Sequence, residues 1–191
     1  MIATVVYTSE TGFTEKYAKW ISTQLQCDCF PASDISPENL RRYGLVVYGG
    51  WVLNGKIQGL RKALPVFKGK HVVVFGVGAL PSTEKVTAHL AEQNGLEDIP
   101  FFYYQGGVHF DDLTRSRRNG LKALQRGGNR GSLAKLGDEV RFFRDHYGET
   151  FDASSKAATA ELVALSDQIR SQKPGLKHGV RSDVRPEKDL G

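Results

Sequence analysis

Three runs, Val5-Val6-Tyr7, Leu45-Val46-Val47-Tyr48 and Val72-Val73-Val74-Phe75, are apolar at consecutive positions, and nothing else in the chain constrains its fold as much. Successive side chains of a strand point to opposite faces, so such a run needs apolar cover on both sides. Strands are expected at 2–7, 27–31, 45–48, 71–75 and 101–104, and helices near 13–25, 58–64, 83–94 and 154–171. This alternation predicts an α/β fold: a doubly wound, five-stranded parallel sheet with strand order 2-1-3-4-5. The 191 residues suffice for one sizeable core.

The first strand runs into Thr8-Ser9-Glu10-Thr11-Gly12-Phe13-Thr14, a hydroxyl-rich loop that opens a helix. The macrodipole and unpaired amides at a helix start favour an anion. Ser9, Thr11 and Thr14 would aim hydroxyls at one phosphate, and Gly12 would let backbone amides approach it. Glu10 and Phe13 would add amides. The segment matches neither G-x-x-x-x-G-K-[ST] nor G-x-G-x-x-G, which disfavours nucleoside triphosphates and dinucleotides. An ordinary helix capped by Thr11 or Ser9 is the competing reading.

Ligands of open parallel sheets bind beyond the carboxyl ends of the strands, at the switch between the first and third. Two more loops are expected there. Gly49-Gly50-Trp51-Val52-Leu53-Asn54-Gly55 follows the third strand, and Gly76-Val77-Gly78-Ala79-Leu80 follows the fourth. Trp51 offers a large π surface for a flat ring, against an alternative in which it packs on a neighbouring helix.

The pattern T-S-E-T-G-F-T resembles the phosphate loop of the flavodoxin family, which binds flavin mononucleotide (FMN). That resemblance implies a flavodoxin-like fold and FMN held noncovalently. Phosphate would sit on Thr8, Ser9, Glu10, Thr11, Gly12, Phe13 and Thr14. The ring would lie by Gly49, Gly50, Trp51, Val52, Leu53 and Asn54, with Gly76, Val77, Gly78 and Ala79 supplying backbone donors. The fourth-strand loop lacks the aromatic that electron-transfer flavodoxins commonly place there, leaving the second face of the ring open to a substrate. Pro100-Phe101-Phe102-Tyr103-Tyr104-Gln105-Gly106-Gly107 with Val108-His109-Phe110, and also T-G-F-T-E-K-Y-A, are similar to a flavodoxin-like subgroup that includes menaquinone-dependent protoporphyrinogen oxidase. The resemblance implies an oxidoreductase acting on a porphyrinogen or quinone. A single-electron carrier and a cofactor-free interaction domain remain as alternatives.

Charge separates one segment from the rest. Residues 1–110 carry 10 Lys and Arg against 9 Asp and Glu, whereas residues 115–144 carry 9 basic residues against Asp138 and Glu139. We read about 113–150 as a basic insertion in a domain spanning 1–172, with two short helices suggested by Leu121, Leu124, Leu133, Leu136, Val140 and Phe143. Three readings compete: a solvated face, a surface for an anionic substrate or membrane through Arg115, Arg117 and Arg118, and nucleic acid. Nucleic acid is set aside, because no binding motif accompanies the charge. Redox partners are expected to be small molecules or proteins.

The remaining signals are bland. Cys27 and Cys29 would face one side of a strand, and a bridge across one residue would be strained, so they read as reduced structural thiols. The five histidines lack zinc-site spacing, and His109 alone could approach a ligand. No metal site and no catalytic side chain are assigned. The absence of a long apolar stretch leads to an expected cytoplasmic location, with membrane contact only at the periphery. Residues 173–191 read as a flexible basic tail.

Overall fold

The computed structural model describes residues 1–110 and 145–172, together with residues 115, 118, 119, 122, 136, 138 and 141. The elements are β1 (Ala3–Thr8), α1 (Phe13–Leu25), β2 (Asp28–Pro31), α2 (Pro37–Leu40), β3 (Leu45–Leu53), β4 (Lys56–Ile57) and α3 (Leu60–Ala63). There follow β5 (His71–Gly78), α4 (Glu84–Asn94), β6 (Phe101–Gln105), β7 (Gly107–Val108), β8 (Phe151–Asp152) and α5 (Ala160–Ser171).

The main sheet has the order β2-β1-β3-β5-β6, all parallel, with β4 paired antiparallel to the end of β3. Six strands therefore replace the five expected. The additional strand comes from a two-residue hairpin turn, Asn54-Gly55, in which both residues have positive φ (51° and 76°). That is the backbone a tight hairpin demands, and Asn-Gly is the dipeptide that adopts it most readily.

The consecutive apolar runs do what their pattern requires. Val5, Val47 and Val73 lie in register across three strands and pack with Tyr17, Ile21 and Leu162 from α1 and α5. Their neighbours Val6, Tyr48 and Val74, also in register, pack on the opposite face with Leu40, Leu60 and Phe67. All six strand residues are 0% exposed. Burying each contributes about 1.5–3 kcal/mol against the entropy of ordering the chain.

β3 and β5 run further than expected, to Leu53 and Gly78. Their glycines are strand residues rather than loop residues. A Cβ at Gly49 would lie inside the Phe75 ring; at Gly50 it would meet Gln58 O at 2.7 Å, and at Gly78 the Tyr103 hydroxyl at 2.8 Å. Small residues there let bulky neighbours cross the sheet. Helices 58–64 and 154–171 also start later than expected, at Leu60 for α3 and, after a short 3₁₀ turn at Ala157–Thr159, at Ala160 for α5. The expected helices of the insertion, Arg117, and the tail at 173–191 lie outside the described residues. Leu136 is described and buried beside Val86, Leu90 and Tyr103.

Candidate functional site

Two helix starts are built differently. At α4, the Thr83 side chain caps the helix by accepting from Val86 N–H at 3.2 Å. At α1 the cap position is Gly12, with φ 87° and no side-chain cap. Neither Thr11 nor Ser9 caps α1, so the ordinary capped-helix reading is corrected. The first α1 hydrogen bond is Lys16 N–H to Gly12 O at 2.9 Å, and Gly12 brings no side-chain acceptor to the first-turn amides. A Cβ at Gly12 would meet nothing within 4 Å, so its glycine answers to backbone conformation rather than crowding.

Ser9 Oγ is buried and finds no hydrogen-bond partner among the described residues. A hydroxyl in that condition is available to a hydrogen-bond partner from outside, as are the buried His89, Tyr104 and Ser166 polar atoms elsewhere in the fold. Thr14 is 1% exposed in the first turn of α1. Thr8 is occupied elsewhere: Tyr48 Oη donates to Gln58 O at 2.9 Å, so Thr8 Oγ1 donates to Tyr48 Oη at 2.9 Å. Burial raises the Tyr48 pKa, with Thr8 opposing, and Tyr48 stays a protonated donor.

Beside this helix start lies a cavity bounded by Glu10, Thr11, Phe13, Thr14, Trp51, Val52, Leu53, Val77, Gly78, Ala79, Gly107, Val108 and His109. It brings residues from all three expected loops to the carboxyl ends of β1, β3 and β5. Of the residues expected at the site, Thr8, Ser9, Gly12, Gly49, Gly50, Asn54 and Gly76 do not bound it. Gly107 and Val108 were not foreseen; they enter because β7 pairs antiparallel with β8 and carries the chain back over the α1 start. The enclosed volume is about 110 Å³. Small-molecule sites measure ~300–1,000 Å³, so a mononucleotide-sized ligand would project beyond it. A cavity of about 570 Å³, bounded by Ala3, Asp28 and Arg170 among others, lies at the amino ends of β1 and β2, the wrong end of a parallel sheet for a ligand.

Among the described residues, Glu10 and His109 are the ionisable side chains of the cavity wall. The His109 ring stacks on Phe13, with centroids 4.9 Å apart and planes 12° apart. Below them Lys16 pairs with Asp152 at 2.6 Å. Partial burial raises the Asp152 pKa, but bonds from Lys16 and Ser154 outweigh it and hold the carboxyl at about 2. Tyr17 Oη donates to Gln105 O at 2.7 Å and accepts from Ser155 N–H at 2.9 Å, fastening α1 to β6 and the segment after β8.

Cys27 and Cys29 are free thiols packed against the α1-side core, and burial pushes Cys27 up to about 11. Arg115 and Arg118 are exposed, with the Arg118 guanidinium 5.9 Å from the Phe110 ring centroid. Among the described residues, no group of three or more His, Cys, Asp or Glu could hold a metal ion. Among them too, no helix is long and apolar enough to cross a membrane.

A parallel α/β sheet with an uncapped helix start and an apolar cavity at its carboxyl edge defines a mononucleotide-binding architecture. A family model described as flavodoxin domain matches residues 4–130. The chain belongs to the flavodoxin domain family. Similar solved structures include a flavodoxin from the domain Archaea, at 16% identity over 76% of this chain and 95% of that one, with a TM-score of 0.41. Oxidised flavodoxin 2 from Bacillus cereus matches at 15% identity over 77% of this chain and 100% of that one, with a TM-score of 0.37. Two-electron reduced Megasphaera elsdenii flavodoxin matches at 15% identity over 73% and 98%, with a TM-score of 0.38. At these scores the family match carries the assignment. No curated protein matches the chain.

Family membership makes FMN the cofactor and the chain an FMN-binding redox protein. The residues present fit that group. The orphaned Ser9 hydroxyl and the Gly12 start suit a phosphate, and Trp51, Val52, Leu53, Val77 and Val108 provide an apolar wall for a flat ring.

Proposed function

We propose that the chain is an FMN-dependent oxidoreductase that passes electrons between a reductant and a small molecule such as a porphyrinogen or quinone. The observation that carries this reading is the Gly12 helix start, uncapped and close in sequence to an unpartnered Ser9 hydroxyl, whose neighbours Glu10, Thr11, Phe13 and Thr14 bound the apolar cavity. In this reading Ser9, Thr11 and Thr14 hydroxyls and the amides of Glu10, Gly12 and Phe13 hold the phosphate. Trp51, Val52 and Leu53 lie against one side of the ring, and Val77, Gly78 and Ala79 offer backbone groups to its polar edge. Gly49, Gly50 and Gly76 act behind them by letting bulky neighbours pack against β3 and β5, Asn54 turns the β3–β4 hairpin, and Thr8 supports the loop through Tyr48.

Bound FMN supplies the two-electron chemistry. The protein's work is positioning and water exclusion. The β5 loop presents no aromatic residue to the cavity, and in this reading the second face of the ring is open to the substrate. The formal net charge of +5 and the basic 115–144 segment suit an anionic porphyrin or a quinone-bearing membrane, reached through Arg115, Arg117 and Arg118. The sequence pattern resembles the flavodoxin-like subgroup that includes menaquinone-dependent protoporphyrinogen oxidase, which supports this choice of substrate class. We place the protein in the cytoplasm, touching the membrane only at its surface.

Reduction of the FMN-loaded protein under anaerobic conditions, followed by addition of a naphthoquinone or of protoporphyrinogen to the oxidised form, tests this directly. Rapid two-electron exchange with either supports the oxidoreductase. Reduction in two resolved one-electron steps, with no reaction toward either compound, would favour a carrier serving protein partners.

A further inference from the structure

The phosphate loop, residues 8–14, contains no lysine or arginine, and its one charged residue is Glu10. The nearest lysine on α1, Lys16, is held by Asp152 at 2.6 Å and lies 5.1 Å from the Trp20 ring centroid. Among the described residues, a phosphate dianion entering the cavity would therefore meet amides, hydroxyls and a carboxylate, with one basic side chain in the wall, His109. That imidazole is stacked on the ring of Phe13, the first residue of α1, and shares the cavity wall with Glu10, Thr11 and Thr14.

From this we infer that His109 makes FMN binding proton-linked: its imidazolium, formed by taking a proton from solvent as the phosphate arrives, supplies the positive charge that the loop lacks. The inference rests on the FMN reading above. An anion beside an imidazole favours its protonated form, so binding takes up protons and tightens as pH falls. Among the described residues the other ionisable groups on the surrounding elements are Glu10 of the loop, Glu15, Lys16 and Lys19 of α1, Asp152 of β8, Arg118 and Tyr147 packed on Phe110, and His146 and Glu149 in the turn that holds Tyr147, all of them unchanged in the variants compared below. Glu15 is paired with Lys19, and Lys16 with Asp152. Carboxylates, lysines, arginine and tyrosine ordinarily titrate outside pH 5.5–8.5.

The test is fluorescence titration of the apoprotein with FMN and with riboflavin, which lacks the phosphate, from pH 5.5 to 8.5, for wild type, His109→Gln and His109→Lys. The phosphate's own second ionisation, near ~6, affects all three proteins alike and cancels in the ratio of dissociation constants. The Gln variant should bind FMN like wild type at pH 8.5, which also shows that it folds. It should bind about 10-fold more weakly at pH 5.5, the size of one charge-assisted contact. The Lys variant should bind at least as tightly as wild type at every pH. Riboflavin should show a ratio near one throughout. A Gln ratio that does not change with pH, or the same rise with riboflavin, overturns the inference while leaving FMN binding intact. Failure of wild type to bind FMN at any pH overturns the FMN reading itself, and the inference with it.

Discussion

Replacing Ser9 with alanine separates a binding role for its hydroxyl from a structural one, because the two move stability and affinity in different combinations. In the apoprotein Ser9 Oγ is buried with no partner among the described residues. Burying an unsatisfied hydroxyl costs about 1–3 kcal/mol. Ser9→Ala keeps the Cβ and removes that cost, so the apoprotein should be as stable as wild type or more stable by about 1 kcal/mol. A hydrogen bond to a charged group contributes about 1.5–3 kcal/mol, so loss of the contact to phosphate should weaken FMN about 10- to 150-fold. Urea unfolding of the two apoproteins gives the first quantity, and fluorescence titration with FMN gives the second. A hydroxyl that served as a helix cap would instead cost the apoprotein about 1 kcal/mol when removed. Loss of stability by that amount, with FMN affinity unchanged, would refute the reasoning.

Three further outcomes follow from particular contacts. Gly49→Ala should lower stability by about 1–3 kcal/mol, because its Cβ would lie inside the Phe75 ring; a second change, Phe75→Leu, should restore part of the loss in urea unfolding, and additive effects would show that the ring is not the obstacle. The Asp152 carboxyl has its folded pKa lowered to about 2, so its contribution is present above the unfolded value near ~3.9 and is lost as pH falls toward 2. Its side chain is 42% exposed, and screening limits the effect to about 0.5–1 kcal/mol. Wild type should therefore lose its advantage over Asp152→Asn between pH 5 and pH 2.5, and an advantage unchanged over that range would contradict the assignment. Cys27, raised to about 11, should be about 0.1% thiolate at pH 8 and react with a disulfide reagent far more slowly than a free thiol; rapid labelling of a Cys29→Ser variant would show otherwise.

The strand interiors were legible because their chemistry is local: a run of consecutive valines can be satisfied only by cover on both faces. The α1 start was legible for a similar reason, since the helical apolar period begins at Phe13, directly after a glycine that can take the left-handed turn there. What escaped was decided by partners distant in sequence. Gly49, Gly50, Gly76 and Gly78 look like strand breakers until Phe75, Ile57, Val52 and Tyr103 are seen beside them. The hairpin that adds β4 was signalled by Asn54-Gly55, which a search for two-residue turns would have found. Gly107 and Val108 carried no local signal, for they reach the cavity through pairing with β8 more than 40 positions away. His109 could be singled out by its position after β6, but the Phe13 ring that orients it could not.

The account stands on FMN being held by its phosphate at the Gly12 helix start. Titration of the purified apoprotein with FMN and with riboflavin at pH 7, followed by flavin fluorescence and visible absorption, measures that most directly. The account predicts saturable quenching by FMN, a shifted absorption band, and riboflavin bound at least 10-fold more weakly. Equal affinity for the two flavins, or no binding of FMN, would contradict it.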